Sequence, residues 1–170
     1  IIGIYSLFDF LLPDLTLFSP FRAFLLKLIV GVTIWRKTRV RKGIYVTTLK
    51  NLSIGNNSFF NRGNLFDNNE IITIGNNCSI GYDNKFITTS HYEADEKWSA
   101  GTSFYSTPIV IWNNVWITTW CTVLPWTVIW DNVIVWAWSV VRWTLDSGYF
   151  YWGVPAKKIR ETSGIMKKNH

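Results

Sequence analysis

The sequence predicts an all-β fold, a parallel β-helix of about five coils, and three observations support this prediction. From residue 34 onward, a bulky apolar residue recurs at every sixth position. The residue two positions earlier is often small. Neither a period of 3.6 nor a period of 2.0 fits this repeat, so helices and flat amphipathic strands are both disfavoured. A period of six is typical of a β-helix built from hexapeptides, of which three close one coil.

The apolar residues at the sixth positions fall into four runs. They are Ile34, Val40 and Val46; Ile54, Phe60 and Phe66; Ile74, Ile80 and Phe86; and Ile111, Ile117, Val123, Ile129, Val135 and Val141. Small residues precede them at Thr38, Ser58, Cys78, Cys121, Thr127, Val133 and Ser139. A single hexapeptide strand cannot bury its apolar face, whereas stacked coils share one core. The two cysteines are therefore predicted to fill the core.

Composition limits the class of protein. With 170 residues, the chain is most simply one domain, and 48% hydrophobic against 16% charged residues excludes a disordered protein. The net charge of +6 suits a polyanionic ligand, nucleic acid or an acidic membrane surface, without choosing among them. Two cysteines form no disulfide framework and fit a reducing cytosol.

Three parts are predicted along the chain. An apolar, helical N-terminal segment covers residues 1–33, the β-helix covers 34–145, and a C-terminal extension covers 146–170. Within the β-helix, the repeat is interrupted by one long excursion at 87–110. A long excursion from a regular solenoid usually carries binding or catalytic residues.

The N-terminal segment is predicted to pack on the solenoid as a short helix. Polar and proline residues divide it into apolar pieces shorter than the roughly 20 residues that a membrane span needs. The stretch "SPFRAFLLKLIVG" places Ser19 at the N-cap, Pro20 at the first helical position and Gly31 after the end. Only Arg22 and Lys27 indicate a solvated side. The helix either packs on the domain or a neighbouring subunit, or it forms a peripheral membrane contact.

Seven tryptophans between residues 111 and 141 do not fit the hexapeptide pattern. Counted with Trp35, seven tryptophans fall at predicted corners of the coils. Trp35, Trp112, Trp130 and Trp136 each follow a sixth-position residue, where intact repeats have Gly55, Gly75 and Gly81. Trp120, Trp126 and Trp138 each lie three positions before the next sixth-position residue, at the other corner. Glycine suits corners because positive φ costs it little, whereas any other residue pays about 1–2 kcal/mol. Either most of these corners keep φ negative and point their indoles outward, or the natural chain has glycine there.

Three segments resemble the hexapeptide-repeat acyltransferases of the left-handed β-helix fold, in particular the sugar and surface-polysaccharide O-acetyltransferases. They are "TTSHYE", "IWNNVWITTWCTVLPWTVIWDNVIVWAWSVV" and "YWGVPAKKIRE", and the resemblance extends over nearly the whole chain from about residue 19. It implies a homotrimer with acetyl-CoA as co-substrate in a groove between neighbouring β-helices. It also implies O-acetylation of a saccharide for surface polysaccharide or lipopolysaccharide in the cytoplasm, with the inner face of the membrane as a finer expectation.

The resemblance implies roles for five residues at the acceptor side. His91 in "TTSHYE" matches the family's general base, and such a base raises the rate of attack by a sugar hydroxyl about 10²–10⁴-fold. Asn61 in "FFNRGN" matches an asparagine that stabilises charge on the thioester oxygen; the alternative is a corner asparagine with left-handed backbone. Asp67 and Glu93 are expected to bind the sugar or orient the histidine, unless they are solvated carboxylates. Trp116 is expected to wall the site.

For acetyl-CoA, the resemblance implies a second set of residues along the later coils. The backbone at Thr119 and Ala137 would follow the pantetheine arm. Arg142, Lys157 and Arg160 would contact the phosphates, because cations bind them well.

Other activities and partners remain open from the residues alone. An amino-sugar N-acetyltransferase, an antibiotic O-acetyltransferase and an inactive trimeric glycan-binding β-helix are the alternatives. The basic run at 36–42 is a solvated face, or it contacts an anionic saccharide or a membrane. No recognised nucleic-acid-binding motif occurs. A zinc site of the type known in this fold needs several histidines, and one usable histidine per chain is too few, so no metal is expected.

Overall fold

The structure is a computed structural model that describes residues 11–48, 50–92 and 104–162. After an N-terminal helical segment, the described part of the chain forms twenty short strands, numbered in chain order, which wind into a solenoid with three faces. The first face stacks β1 (Thr33–Ile34), β4 (Leu52–Ile54), β7 (Ile72–Ile74), β12 (Ile109–Ile111), β15 (Val128–Ile129) and β18 (Thr144–Leu145).

The second and third faces have the same construction. The second stacks β2 (Arg39–Val40), β5 (Phe59–Phe60), β8 (Ser79–Ile80), β13 (Trp116–Ile117), β16 (Ile134–Val135), β19 (Tyr149–Trp152) and β20 (Lys157–Glu161). The third stacks β3 (Tyr45–Val46), β6 (Leu65–Asp67), β9 (Lys85–Ile87), β14 (Thr122–Val123) and β17 (Val140–Val141). The excursion contributes a separate hairpin of β10 (Thr89–His91) and β11 (Phe104–Ser106).

Successive coils pair in parallel and in register. Thr33 pairs with Ser53, and Ser53 pairs with Thr73. Equivalent side chains are 20 residues apart in the early coils, 37 apart across the excursion and 18 apart beyond it. Among the described strands, antiparallel pairing occurs in the excursion hairpin and between β19 and β20. The predicted left-handed parallel β-helix of about five coils is confirmed.

The core lies inside the solenoid and includes the residues that the six-residue period predicts, together with others such as Leu25 and Leu26 of the N-terminal helical segment. All fifteen apolar residues at sixth positions are buried, as are the small residues that precede them. The rings of Phe66 and Phe86 stack with centroids 4.7 Å apart. Both cysteines are core residues, and burial raises the pKa of the Cys78 thiol to about 11. These thiols are therefore protonated fillers at neutral pH.

The N-terminal segment forms a continuous helical stretch. It has a 3₁₀ turn (Thr16–Phe18), helix α1 (Ser19–Leu25) and a π-helical turn (Leu26–Val30), and it ends at Gly31, whose φ is 78°. Within the parts of the chain that the structure describes, no helix has the length and apolar character needed to cross a membrane.

Two details of the predicted helix were wrong. Ser19 is a helical residue and makes no capping hydrogen bond, because the preceding 3₁₀ turn already begins the helical path. Arg22 does not face solvent: it is fully buried, and its Nη2 donates to the carbonyl oxygens of Leu12 and Pro13 at 3.1 and 2.9 Å. These hydrogen bonds to carbonyl oxygens offset part of the cost of burying the guanidinium.

The corner tryptophans divide into two groups. Trp120, Trp126, Trp138 and also Trp143 have positive φ, between 53° and 71°. Trp35, Trp112, Trp130 and Trp136 do not. All eight indoles are exposed, and some form outward ladders, with centroids 5.2 Å apart for Trp112 and Trp130 and 4.7 Å for Trp120 and Trp138. The indoles point outward at all seven predicted corners, but φ is negative at four of these corners and positive at the other three.

Candidate active site

The excursion hairpin carries His91 away from the solenoid. Its two strands are antiparallel, with Thr89 opposite Ser106, Ser90 opposite Tyr105 and His91 opposite Phe104. The hairpin leaves the solenoid after β9, at the edge where the third face turns into the first. Predicted site residue Glu93 lies outside the described residues.

A cavity of about 500 Å³ opens beside His91. It is lined by His91, Tyr92, Tyr105, Thr107 and Trp126. The rings of Tyr92 and Tyr105 are 5.0 Å apart and tilted against each other. A histidine at the rim of a largely aromatic cavity can accept a proton from a hydroxyl of a ligand whose apolar face packs on these rings.

A second cavity, of about 340 Å³, adjoins the first. It is lined by Thr89, Ser90, Tyr105, Leu124, Pro125, Trp126, Arg142 and Trp143. Because Tyr105 and Trp126 line both spaces, these two rings form the wall between them. Arg142 lies with its guanidinium carbon 4.0 Å from the centre of the Trp143 ring and gives the second cavity a positive charge.

Asp67 is connected to the foot of the hairpin. Its carboxylate accepts hydrogen bonds from Thr47 Oγ1 and from Asn69 Nδ2, both at 3.3 Å. Asn69 Nδ2 also donates to Thr89 Oγ1 at 2.8 Å, two residues before His91. Asp67 does not line the His91 cavity, so in one chain it supports the hairpin from the neighbouring coil.

Asn61 lies at the opposite edge of the third face. It follows β5 of the second face and begins the turn into β6, and its N–H donates to the carbonyl of Ile80 at 2.8 Å. Its φ is not positive, so the alternative of a left-handed corner asparagine was wrong. Its Oδ1 accepts from Arg62 N–H at 3.1 Å, while its amide nitrogen donates to no group in the described part of the chain. The two amide protons are therefore available to a ligand.

Trp116 is on the second face, away from the His91 cavity. Its exposed indole meets Trp136 edge-on, with centroids 6.4 Å apart. Within one chain, His91, Asn61 and Trp116 therefore do not share a cavity.

The residues expected to hold acetyl-CoA lie at both edges of the third face and on β20 of the second face. Thr119 and Ala137 lie in consecutive coils at the edge that also carries Asn61, where Trp138 N–H donates to the carbonyl of Thr119 at 3.1 Å. The chain then returns to this region, as Ala156 N–H donates to Val140 at 2.8 Å immediately before β20. Lys157 and Arg160 are exposed on β20. Arg142 is at the other edge, beside the hairpin.

Sequence reasoning did not predict Tyr92, Tyr105 and Thr107 as site residues, and it treated Trp126 only as a corner. The signal for the tyrosines is the pair of segments "HY" and "FY" at the two ends of the excursion, which pair as β10 and β11. No three acidic, histidine or cysteine side chains among the described ranges are grouped so that they could bind a metal ion.

Comparison with known proteins identifies relatives of this chain. It is 32% identical to galactoside O-acetyltransferase of Escherichia coli (strain K12) over 132 residues, which are 78% of this chain and 63% of that protein. The chain thus spans less than two thirds of this relative. No protein-family model matches the chain.

Solved structures with the same fold include enzymes with coenzyme A bound. A galactoside acetyltransferase in complex with coenzyme A superposes with a TM-score of 0.82 at 26% identity, covering 94% of this chain and 78% of that chain. A hexapeptide-repeat acetyltransferase from Vibrio cholerae O1 biovar eltor, complexed with acetyl coenzyme A, superposes with a TM-score of 0.81 at 26% identity, covering 94% and 84%.

Proposed function

We propose that this chain is a member of the hexapeptide-repeat acyltransferase family, to which it is similar in sequence and fold, and that it transfers the acetyl group of acetyl-CoA to a hydroxyl of a saccharide. The observation that carries this proposal is the position of His91 on the one long excursion, at the rim of a cavity of about 500 Å³ lined by aromatic rings. Aromatic side chains can cover the apolar face of a sugar while a nearby base reaches one of its hydroxyls.

In this reaction His91 acts as general base. Its imidazole takes the hydroxyl proton while the sugar oxygen forms a bond to the thioester carbonyl carbon, and the carbonyl oxygen becomes negatively charged. The amide protons of Asn61 would stabilise that oxygen. When the carbon–sulfur bond breaks, the imidazolium returns the proton to the departing thiolate, so the products are a sugar acetate and free coenzyme A.

The active site requires two chains in this proposal. His91 and Asn61 stand at opposite edges of the third face in one chain, and a neighbouring copy can bring its Asn61 edge to the His91 edge of the first. A homotrimer with cyclic symmetry repeats this contact three times and closes. Asp67, Glu93 and Trp116 would then border the acceptor across the subunit boundary.

The same groove would hold acetyl-CoA. Thr119 and Ala137 supply backbone groups along one edge, and Lys157 and Arg160 supply cations near the end of the solenoid. Arg142 adds a cation from the facing edge. This arrangement agrees with the chemistry of acetyl-CoA, because its extended pantetheine arm can bind along an edge and its phosphates bind cations.

We place the reaction in the cytoplasm, in the synthesis of surface polysaccharide or lipopolysaccharide, at the inner face of the membrane. A reduced compartment suits two buried free cysteines. Saccharides for cell surfaces include lipid-linked ones, and an enzyme that acts on such an acceptor benefits from proximity to the membrane.

Release of thiol from acetyl-CoA in the presence of a panel of sugars tests the activity. His91→Ala should lower the rate about 10²–10⁴-fold. His170→Ala, which removes the other histidine of the sequence, should leave the rate unchanged. Full thiol release by the His91→Ala protein would refute the assigned base, and no release with any sugar by a correctly assembled protein would favour a glycan-binding role.

A further inference from the structure

We infer that the N-terminal helical segment and the first coil together form a docking surface for an anionic lipid membrane. The surface consists of exposed apolar side chains on the segment 11–28 and of the cations Lys27, Arg36, Lys37 and Arg39. This inference is independent of the acetyl transfer proposed above. It concerns the end of the solenoid that begins the chain, away from His91.

The outer side of the helical segment is apolar. Leu17 is 81% exposed, Leu28 is 67% exposed, and the stacked pair Phe21 and Phe24 is 46% and 55% exposed, with ring centroids 6.3 Å apart. A single exposed leucine is ordinary on a protein surface, but several large side chains on one short segment indicate an interaction site.

The inner side of the same segment is fixed to the solenoid. Leu25, Leu26 and Val30 are buried in the core, and Arg22 is fully buried against carbonyl groups of the preceding turn. The helix therefore does not need its outer apolar side chains for its own packing. Its outer side can therefore insert into the surface of a membrane without any unfolding of the segment.

Cations border this apolar side. A cavity of about 540 Å³ lies between the helix and the first coil and is lined by Pro20, Ala23, Phe24, Lys27, Ile34, Trp35, Arg36, Lys37, Thr38, Arg39 and Asn57. Four of these residues are cations and none is an acid. Apolar side chains beside cations match the boundary between acyl chains and anionic headgroups.

Charge favours an anionic membrane over a two-fold contact in which two copies of this chain bring this same surface together. A second copy that used the same surface would bring the same four cations to the contact, and like charges repel. The nearby acid Asp14 already pairs with Arg41 and Arg62, so it does not neutralise them. The whole chain has a net charge of +6, which further favours an anionic surface.

Flotation with lipid vesicles tests this inference on the full chain. We expect binding to vesicles of phosphatidylcholine with phosphatidylglycerol, weaker binding at high salt, and little binding to phosphatidylcholine alone. Arg36→Gln with Lys37→Gln should lower the partition coefficient about 25-fold, since each cation near an anionic surface contributes about fivefold. Phe21→Ser with Phe24→Ser should lower it at least about tenfold.

A matched control removes an exposed apolar residue and an exposed cation elsewhere on the solenoid. Ile71→Ser with Lys85→Gln should bind vesicles like the unaltered chain. The inference would be overturned if this control lost as much vesicle binding as the other two variants. It would also be overturned if the unaltered chain bound neutral vesicles as well as anionic ones. A smaller oligomer from Phe21→Ser with Phe24→Ser, at unchanged vesicle binding, would also overturn it and assign the surface to a second copy. Thiol release with a soluble sugar should remain in all three variants, which separates this inference from the proposed activity.

Discussion

Four tryptophans adopt a backbone conformation that suits glycine. Trp120, Trp126, Trp138 and Trp143 have φ between 53° and 71°, whereas glycine reaches this region without steric cost. At the corner equivalent to that of Trp120 and Trp138, the earlier coils have Gly43 and Gly63, with φ of 77° and 73°. In the later coils an indole takes this place and points outward, exposed.

Replacing these four residues should stabilise the protein. Each of Trp120→Gly, Trp126→Gly, Trp138→Gly and Trp143→Gly relieves a left-handed residue, so each should raise the free energy of unfolding by about 1 kcal/mol. Denaturant unfolding measures the change. Trp130→Gly is the control, because its φ is not positive, so the substitution should bring no gain. An equal gain at Trp130 would contradict this account, and an intact mass of the protein from its own cells would show whether glycine stands at these corners.

A second comparison at the residue scale concerns two buried threonines beside the hairpin. Thr107 Oγ1 is buried and has no hydrogen-bond partner in the described structure, whereas Thr88 Oγ1 donates to the carbonyl of Asp67 at 2.7 Å. Thr107→Val should therefore be neutral or slightly stabilising, and Thr88→Val should cost about 1–3 kcal/mol. Thermal unfolding distinguishes the two. An equally large loss for Thr107→Val would mean that its hydroxyl has a partner in solution.

Single residues also show which parts of the structure could be predicted from the sequence and which could not. The core followed from the period alone, because inward side chains such as Phe66 and Phe86 recur with the strand repeat. The aromatic wall of the site did not follow from it. Tyr105 and Trp126 come together only because β11 folds back on β10, and nothing in the local pattern gives that register.

At the scale of elements, an ion-pair cluster joins the N-terminal segment to the first two coils. Asp14, before the 3₁₀ turn, accepts a hydrogen bond from Arg41 Nε at 3.0 Å and forms a second ion pair with Arg62. Partial burial raises the pKa of the Asp14 carboxyl, but the hydrogen bond from Arg41 and the charges of both arginines outweigh it, so the pKa is lowered. The helical segment was predicted from its own sequence, but this anchor and the buried Arg22 depend on residues from distant coils.

The cluster predicts a pH-dependent contribution to stability. Because the pKa of Asp14 is lower in the folded protein, its contribution is complete above the unfolded value of about 3.9 and is lost as pH falls through the folded pKa. Asp14→Asn should cost about 1–3 kcal/mol at neutral pH. Thermal unfolding of both proteins from neutral to acidic pH should converge at the acidic end. A gap that persisted in acid would contradict the electrostatic origin.

A matched control for this prediction is the exposed pair of Asp146 and Lys158. Both side chains are largely open to solvent, at 63% and 42% exposure. Solvent and salt screen exposed ion pairs, and holding two long side chains costs entropy, so Asp146→Asn should change stability less than Asp14→Asn does.

At the scale of the whole molecule, the solenoid separates residues that the sequence suggested as partners. Asn61 lies at the edge between the second and third faces, and the hairpin that carries His91 leaves the solenoid from the other edge of the third face, in the next coil. The fold was predictable because each hexapeptide repeats the same local rule. The assembly of the site was not, since the contact between copies depends on outward side chains that the repeat leaves free to vary.

Mixed assemblies of two inactive variants test whether the site lies between chains. His91→Ala and Asn61→Ala should each lose most activity when expressed alone. When they are co-expressed in equal amounts, about a quarter of the sites in a cyclic trimer would combine an intact His91 from one chain with an intact Asn61 from the next. Thiol release should then recover to about that share of the unaltered rate. If both residues acted within one chain, no mixed assembly could contain an intact pair, and activity would stay at the level of the separate variants.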